Sequence, residues 1–263
     1  MNGSGMVRIL QLIGHVFLSF LQSVGQLSLF AIRSLSHCFR PPFYPRSYMR
    51  QFLEIGYYSL PVVGLTAAFT GMVLALQIHI GGSRFNAESS VATIVVIGIC
   101  RELAPVLTGL MVAGRIGAAM AAEIGTMRVT EQIDALRMLA TNPYKFLIAP
   151  RIVAGILMMP LLVFIADVIG ILGGYIIGVY KLGFAPANYI DNTFRFLEMM
   201  DVVSGLVKAA FFGFIISLMG CYNGFYSKGG AQGVGQSTTY AVVSASILIL
   251  LANYIITELF FTS

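Results

Sequence analysis

The sequence predicts an all-α integral membrane protein. Of its 263 residues, 57% are hydrophobic and only 10% are charged, whereas soluble domains carry about a quarter charged residues. Five apolar stretches are each long enough to cross a bilayer as a helix, which takes about 20 residues. No stretch alternates apolar and polar residues with period two, as a membrane β-barrel would require.

The first 50 residues are predicted to form an amphipathic interfacial helix and a basic linker. Between residues 6 and 37, polar side chains such as Arg8, Gln11 and His15 recur three or four apart, opposite an apolar side. That spacing is typical of a helix that lies along the membrane surface. A cleaved signal peptide is the alternative, but no small-x-small cleavage site follows the apolar run. Residues 39–50, FRPPFYPRSYMR, then supply a proline-broken linker.

The rest of the chain, residues 51–263, is predicted to be one five-helix membrane domain. Its spans lie roughly at 56–80, 90–125, 151–180, 202–222 and 238–261. The second and third exceed the minimum length, so they are expected to tilt or to project beyond the membrane. A short amphipathic helix at about 128–141 joins them.

Lysine and arginine are unevenly distributed over the connections, and this distribution predicts the orientation. One side carries most of them: Arg33, Arg40, Arg46, Arg50, Arg128, Arg137, Lys145, Arg151 and Lys228. The other side carries Arg84, Lys181 and Arg195. Because cytoplasmic connections hold the excess of basic residues, the N-terminus is predicted to be cytoplasmic. After five crossings the C-terminus lies on the opposite side.

The second span is unusual because it carries four charged residues, Arg101, Glu102, Arg115 and Glu123. Ionisable groups are costly in hydrocarbon, so these side chains are expected to face protein or a water-filled cavity. For each of them a structural ion pair and a functional role both remain open.

Helical phase gives a first estimate of where these charges point. Glu102 falls on about the same side as Gly109, whereas Arg101 lines up with Arg115. Pro105 removes one backbone hydrogen bond, so a kink is expected near it.

Small residues recur every fourth position in the same span, which predicts close helix packing. One row contains Gly109, Ala113, Gly117, Ala121 and Gly125, and a second contains Gly114, Ala118 and Ala122.

Two further charges lie inside predicted spans. Asp167 lies in the middle of FIADVIGILGGY, and Lys208 lies early in SGLVKAAFFGF. Each is compatible with a proton path, a buried pair or a helix contact. Packing is favoured for both, because no series of acids and histidines continues from either residue.

The segment GGAQGVGQST (229–238) imitates a phosphate-binding P-loop, but Gln236 stands where the motif has lysine. No strand precedes it, so a glycine turn is the better explanation. This chain is therefore expected to bind no cofactor and to hydrolyse no ATP. Cys38, Cys100 and Cys221, like the histidines, lack metal-type spacing, so no metal site is expected.

The segment RELAPVLTGLMVAGRIGAAMAAEIGTMRVTEQIDAL, which begins at Arg101, closely resembles the signature of the MlaE/YrbE-type permease family. The resemblance continues through NPYKFLIAPR, DVIGILGGYIIGVYKL, DVVSGLVKAAFFGFI and CYNGFYSKGGAQGVGQSTTYAVV, and it covers roughly residues 50–260. Ala104 departs from the pattern, because the family commonly has glycine there. Family members are the membrane subunits of ABC transporters that work with MCE-domain lipid carriers.

The resemblance implies a homodimer of permeases in the inner membrane of a Gram-negative bacterium. A separate cytosolic ABC ATPase would use the ATP, and an MCE-domain protein would sit on the periplasmic face. A small cytosolic STAS-domain subunit is a further implied partner, and no nucleic acid is expected. The implied substrate is phospholipid, moved between inner and outer membranes to maintain outer-membrane asymmetry.

The resemblance also selects candidate residues. The family's R-E-L-x-P-V segment lies near the lipid-handling cavity and corresponds here to Arg101, Glu102, Leu103, Pro105 and Val106, to which we add Arg115 and Glu123. The hypothesis is that Arg101 and Glu102 form a polar patch for the headgroup, with the apolar first and second spans around the tails. The ATPase would dock on residues 128–141 through Arg128, Thr130, Glu131, Gln132, Asp134 and Arg137.

Two other classes of function remain as alternatives. An ion-coupled secondary transporter of a small solute would use Asp167 and Lys208, but such carriers usually show internal repeats, and none is visible. A lipid-modifying membrane enzyme would need a catalytic constellation at one membrane depth, and none is visible either.

Overall fold

The computed structural model describes residues 3–38, 41, 44–82 and 90–261. Within these residues the chain is helical apart from short connections, and five helices are long and apolar enough to cross a membrane. The predicted all-α membrane class is therefore confirmed. Arg40 and Arg84, which entered the predicted orientation, lie outside the described residues.

Eight helices are described, and five of them are the candidate spans. In chain order they are α1 (Gly3–Cys38), α2 (Pro45–Gly82), α3 (Val91–Val129), α4 (Gln132–Met138), α5 (Tyr144–Lys181), α6 (Pro186–Phe196), α7 (Met199–Phe225) and α8 (Gly230–Phe261). The spans are α2, α3, α5, α7 and α8.

The N-terminal helix α1 is attached to the bundle by a narrow stripe near its C-terminal end. Phe30, Ser34 and Cys38, spaced four apart, are buried, whereas Leu18 and Ile32 are exposed. The ring of Phe30 packs among aromatic side chains of α5 and α7 and of the turn after α7. The apolar surface that α1 leaves uncovered suits contact with lipid.

Most elements extend beyond their sequence-based bounds, and in three elements the structure shows why an end lies where it does. The helix α2 starts at Pro45, inside the predicted linker, because proline is well suited to the first helical turn. The helix α8 starts at Gly230, and the positive φ angles of Gly229 and Gly230 form the expected glycine turn at its start. The short helix α4 covers only Gln132–Met138, because Glu131 before it has a left-handed φ of 60°.

The helix α3 contains two widened turns with π-helical hydrogen bonding, at Ile99–Leu103 and Ala113–Gly117. The first ends two residues before Pro105, which has no N–H to donate. Because each π turn shifts the helical phase, the predicted alignment of Arg101 with Arg115 is wrong. Arg101 faces α7, whereas Arg115 faces α2.

Small residues bring the spans close together. In the first predicted row, Gly117 and Ala121 of α3 pack directly against Gly220 and Gly224 of α7, which confirms that this row packs closely. Gly114 of the second row packs against no other described helix of this chain, because no atom lies within 4 Å of the position that a Cβ would take there.

Basic residues from separate connections meet at one end of the bundle. Arg33, Arg128, Arg137 and Lys228 line one pocket beside α4. The sequence assigned these four residues to the same side of the membrane. Their proximity gives the bundle one markedly basic end.

Candidate functional site

Polar side chains of α3, α7 and α8 converge at the end of the bundle away from α4. The group contains two cations, two carboxylates and two neutral polar residues, and we call it the polar cluster: Arg101, Glu102, Asp201, Lys208, Asn253 and Thr257. Its charges balance, so each cation has a carboxylate partner.

Glu102 is the hub of the polar cluster. The Lys208 ammonium donates to Glu102 Oε1 at 2.7 Å and to the Arg101 carbonyl at 2.8 Å. From α8, the Asn253 amide donates to Glu102 Oε2 at 2.8 Å and the Thr257 hydroxyl donates to Oε1 at 2.9 Å. One carboxylate therefore ties three helices together.

Arg101 forms the second ion pair. Its Nε donates to Asp201 Oδ1 at 2.6 Å, and its guanidinium lies 4.2 Å from the centroid of the Phe261 ring. Asp201 is held in place because its other oxygen accepts the backbone N–H of Glu198 at 3.1 Å. This bond belongs to the capping box that starts α7.

The two ion pairs are buried on one side and open on the other. The side chains of Asp201 and Lys208 are 0% exposed, whereas those of Arg101 and Glu102 are 32% and 38% exposed. Asp201 and Lys208 of α7 are thus internal, whereas Arg101 and Glu102 of α3 place one cation and one anion at the surface. Such a pair offers both a hydrogen-bond donor and an acceptor to a polar ligand.

A narrow apolar cleft of about 10 Å³ lies between α2, α3 and α5, and it contains no residue of the polar cluster. Its wall includes Val63, Ala67, Ile99, Leu103, Leu107 and Met111. Of the selected motif residues, Leu103 lines this cleft. Pro105 is buried and Val106 packs against the core, so both support the helix rather than line the opening.

The structure does not bring Arg115 and Glu123 to the polar cluster. Arg115 donates to Ser59 Oγ at 2.8 Å and to the Glu54 carbonyl at 3.2 Å, at the start of α2. Glu123 accepts from Arg151 at 2.6 Å. It lies 22 residues after Arg101, which is roughly 30 Å along the helix.

The predicted docking residues surround α4. Asp134 accepts from Arg128 at 2.9 and 3.0 Å and from Arg137 at 3.1 Å. Ile133 is fully buried and anchors α4 to the bundle. The other three predicted docking residues take no part in these ion pairs. The Thr130 hydroxyl donates to the Thr126 carbonyl, and the side chains of Glu131 and Gln132 are exposed.

The two mid-span charges have different surroundings. Lys208 forms a buried ion pair with Glu102, one of the alternatives open from the sequence. Asp167 is only 4% exposed, and neither carboxyl oxygen has a hydrogen-bond partner among the described residues. Lys208 therefore links helices, whereas Asp167 makes no polar contact there.

Asp167→Asn is expected to change the free energy of unfolding by less than about 0.5 kcal/mol, since no ion pair or hydrogen bond among the described residues depends on the charge. Unfolding can be followed with a thiol-reactive dye, because all three cysteines are free and buried. Burial also raises the pKa of Cys38 to about 11, which keeps its thiol unreactive while folded. A loss of more than about 1 kcal/mol in the free energy of unfolding would show that Asp167 makes a stabilising polar contact.

Sequence reasoning missed Asp201, Asn253 and Thr257 as members of the polar cluster. The signal that could have identified them is their spacing. Asn253 and Thr257 are four apart in the mainly apolar C-terminal half of α8, and Asp201 lies seven residues before Lys208. Residues at these separations share one helix face. Each pair therefore marked the side on which its helix meets a polar neighbour.

Comparison with known proteins agrees with the fold and the motifs. The model of the family described as Permease MlaE matches residues 48–259. The chain is 59% identical over 249 residues to a probable ABC transporter permease protein of Rickettsia conorii, covering 95% of this chain and 96% of that one.

More distant relatives extend the similarity. The intermembrane phospholipid transport system permease protein MlaE of Haemophilus influenzae is 37% identical over 216 residues, covering 81% of this chain and 82% of that protein. The chloroplastic protein TRIGALACTOSYLDIACYLGLYCEROL 1 of Arabidopsis thaliana is 37% identical over 216 residues, covering 82% and 62%. With its five membrane-spanning helices, this chain belongs to the MlaE permease family and is the multi-pass permease subunit of an ABC transporter.

Proposed function

We propose that this permease moves phospholipids between the inner and outer membranes of a Gram-negative envelope, and so maintains outer-membrane lipid asymmetry. The supporting observation is the pair Arg101 and Glu102, each about one-third exposed and followed directly in α3 by Leu103, which lines the apolar cleft. A phospholipid has the same two parts, a charged headgroup and apolar tails. The guanidinium suits the phosphate, since arginine binds phosphate oxygens through charge-assisted hydrogen bonds.

The partners follow from this proposal. ATP is used by a separate cytosolic ATPase that docks on α4, and this chain binds no cofactor. An MCE-domain protein covers the opposite, periplasmic end, and a small STAS-domain subunit binds on the cytosolic side. The permease is a homodimer, for which the exposed Gly114 and the half-buried Ala118 and Ala122 provide small residues for close helix approach. The N-terminus is cytoplasmic and the C-terminus periplasmic.

The function is tested by reconstituting the permease in vesicles with its cognate ATPase and MCE protein and following a fluorescent phospholipid. Transfer is expected to require ATP and both partners, and the permease alone is expected to leave ATP intact. Transfer driven by an ion gradient without the ATPase would instead favour the ion-coupled alternative. That alternative is already less well supported, because Lys208 is engaged with Glu102.

Asp134→Lys is expected to reduce both ATPase binding and ATP-driven lipid transfer roughly tenfold or more, since like charges brought together at an interface cost several kcal/mol. The new ammonium would replace the only carboxylate that Arg128 and Arg137 contact among the described residues. Co-purification of the ATPase measures the first effect directly.

Asp191→Lys is the matched control, because it makes the same charge change at an exposed position on α6. It should retain the ATPase at the wild-type level. Unchanged ATPase binding in the Asp134→Lys permease would contradict docking on α4.

A further inference from the structure

A second polar pocket lies at the other end of α3, between the start of α2, the end of α3 and the start of α5. We call it the basic pocket. It encloses about 650 Å³, and its wall includes Arg46, Arg50, Gln51, Glu123, Phe146 and Arg151. This volume is within the range of small-ligand sites, roughly 300–1,000 Å³.

The basic pocket carries an excess of positive charge. Arg46 and Arg50, one turn apart on α2, make no hydrogen bond or ion pair within the described part of the chain. Glu123 is the one carboxylate among the described lining residues, and Arg151 already binds it at 2.6 Å. Two guanidinium groups are thus left without a counter-charge.

One buried donor in the same wall lacks a partner, because the Nε of Arg151 has no acceptor among the described residues. Gln51 also lines the pocket and is 5% exposed as a residue, although its amide is not fully enclosed by protein. Buried polar groups in proteins nearly always have hydrogen-bond partners. The Arg151 Nε, together with the two arginines that have no counter-charge, therefore indicates a ligand that supplies acceptor oxygens.

The position of the pocket identifies the kind of ligand. Arg46 and Arg50 directly precede the long apolar part of α2, which is where a membrane surface would lie. Apolar residues complete the wall next to the arginines, namely Pro45, Met127, Phe146 and Leu147. A ligand that fits has an anionic head and an apolar body. Basic pockets between membrane helices bind anionic lipid headgroups in this way.

We propose that the basic pocket binds the phosphate headgroup of an anionic phospholipid from the leaflet at the α4 end of the bundle. Arg46 and Arg50 hold the phosphate oxygens, and the Gln51 amide donates a further hydrogen bond. The lipid is a resident ligand, distinct from the transported one at the polar cluster. The inference goes beyond the proposed function and does not depend on it.

The test uses purified, delipidated full-length protein in a neutral detergent. Dioctanoyl phosphatidylglycerol is titrated against dioctanoyl phosphatidylcholine and inorganic phosphate, with native mass spectrometry and the unfolding temperature as readouts. Phosphatidylglycerol is expected to bind and to raise the unfolding temperature. Phosphatidylcholine and inorganic phosphate are expected to do neither. The double variant Arg46→Gln/Arg50→Gln is expected to bind it roughly tenfold more weakly or worse, because two charge-assisted contacts are lost.

Two further variants make the result decisive. Ser47→Asp places a carboxylate at the pocket but in the first turn of α2, where it favours the helix, so it should fold and still lose the lipid. Lys181→Gln/Arg195→Gln removes two exposed cations elsewhere and should bind phosphatidylglycerol as the wild type does.

Three results would overturn the proposal. The first is binding of phosphatidylglycerol within twofold of wild type in the folded Arg46→Gln/Arg50→Gln or Ser47→Asp protein. The second is equal binding of phosphatidylcholine. The third is equal stabilisation by inorganic phosphate, which would indicate a site for a soluble anion. None of these measurements involves the ATPase or lipid transfer, so they leave the proposed transport function untouched.

Discussion

Lys208→Met is expected to lower the free energy of unfolding by about 2–3 kcal/mol. Methionine keeps most of the length of the side chain but leaves Glu102 and the Arg101 carbonyl without their ammonium donor. Breaking a fully buried ion pair by removing one partner costs roughly 3–5 kcal/mol. The lower figure applies because the Glu102 side chain is 38% exposed, so water compensates part of its charge.

A double-mutant cycle separates the ion pair from simple packing. In Lys208→Met/Glu102→Gln the stranded charge is gone, so the combined loss should fall below the sum of the single losses by roughly 1 kcal/mol or more. Lys181→Met is the control, because Lys181 is exposed at the same end of the bundle, and it should stay within about 0.5 kcal/mol of wild type. Additive losses in the cycle would show that Lys208 and Glu102 do not stabilise each other.

The sequence contained enough information to predict the membrane class and to single out the charged second span. Composition and span length are properties of each segment by itself, so they can be read without knowing which helices are neighbours. The same holds for Glu102 and Gly109, which were predicted to share a face. In the structure both meet α7 and α8, through Lys208, Phe212 and Ile249 among others.

The partners of these charges could not be predicted in the same way. Asp201 is 100 residues from Arg101, and Thr257 is 155 residues from Glu102. Periodicity shows which face of a helix is polar but not which helix that face meets. The π turns in α3 add a further error to the predicted helix faces, because they shift the helical phase between Arg101 and Arg115. A straight-helix projection cannot include that shift.

The contact of α5 with α7 depends on the absence of two side chains, and this gives the second large expected effect. A Cβ at Gly213 would overlap the Gly155 carbonyl oxygen and would lie 2.7 Å from its carbon and 2.9 Å from Met159 Cγ. Because the first two atoms belong to the backbone, no rotamer change relieves the overlap. Gly213→Ala is therefore expected to cost about 3 kcal/mol, the upper end for overpacking.

Gly235→Ala provides the matched control for this experiment. Gly235 lies in α8 with no atom within 4 Å of the position that a Cβ would take. The added methyl group should leave stability unchanged or raise it by up to about 1 kcal/mol through helix propensity. Both variants are compared by thiol-dye unfolding, since Cys221 on α7 is buried at 0% exposure and becomes reactive when the packing is lost. If Gly213→Ala unfolds at the same temperature as Gly235→Ala, α5 and α7 can move apart far enough to admit a methyl group without cost. In that case the close contact at Gly155 and Gly213 would not be needed to hold α7, which also packs on α3 at Gly220 and Gly224.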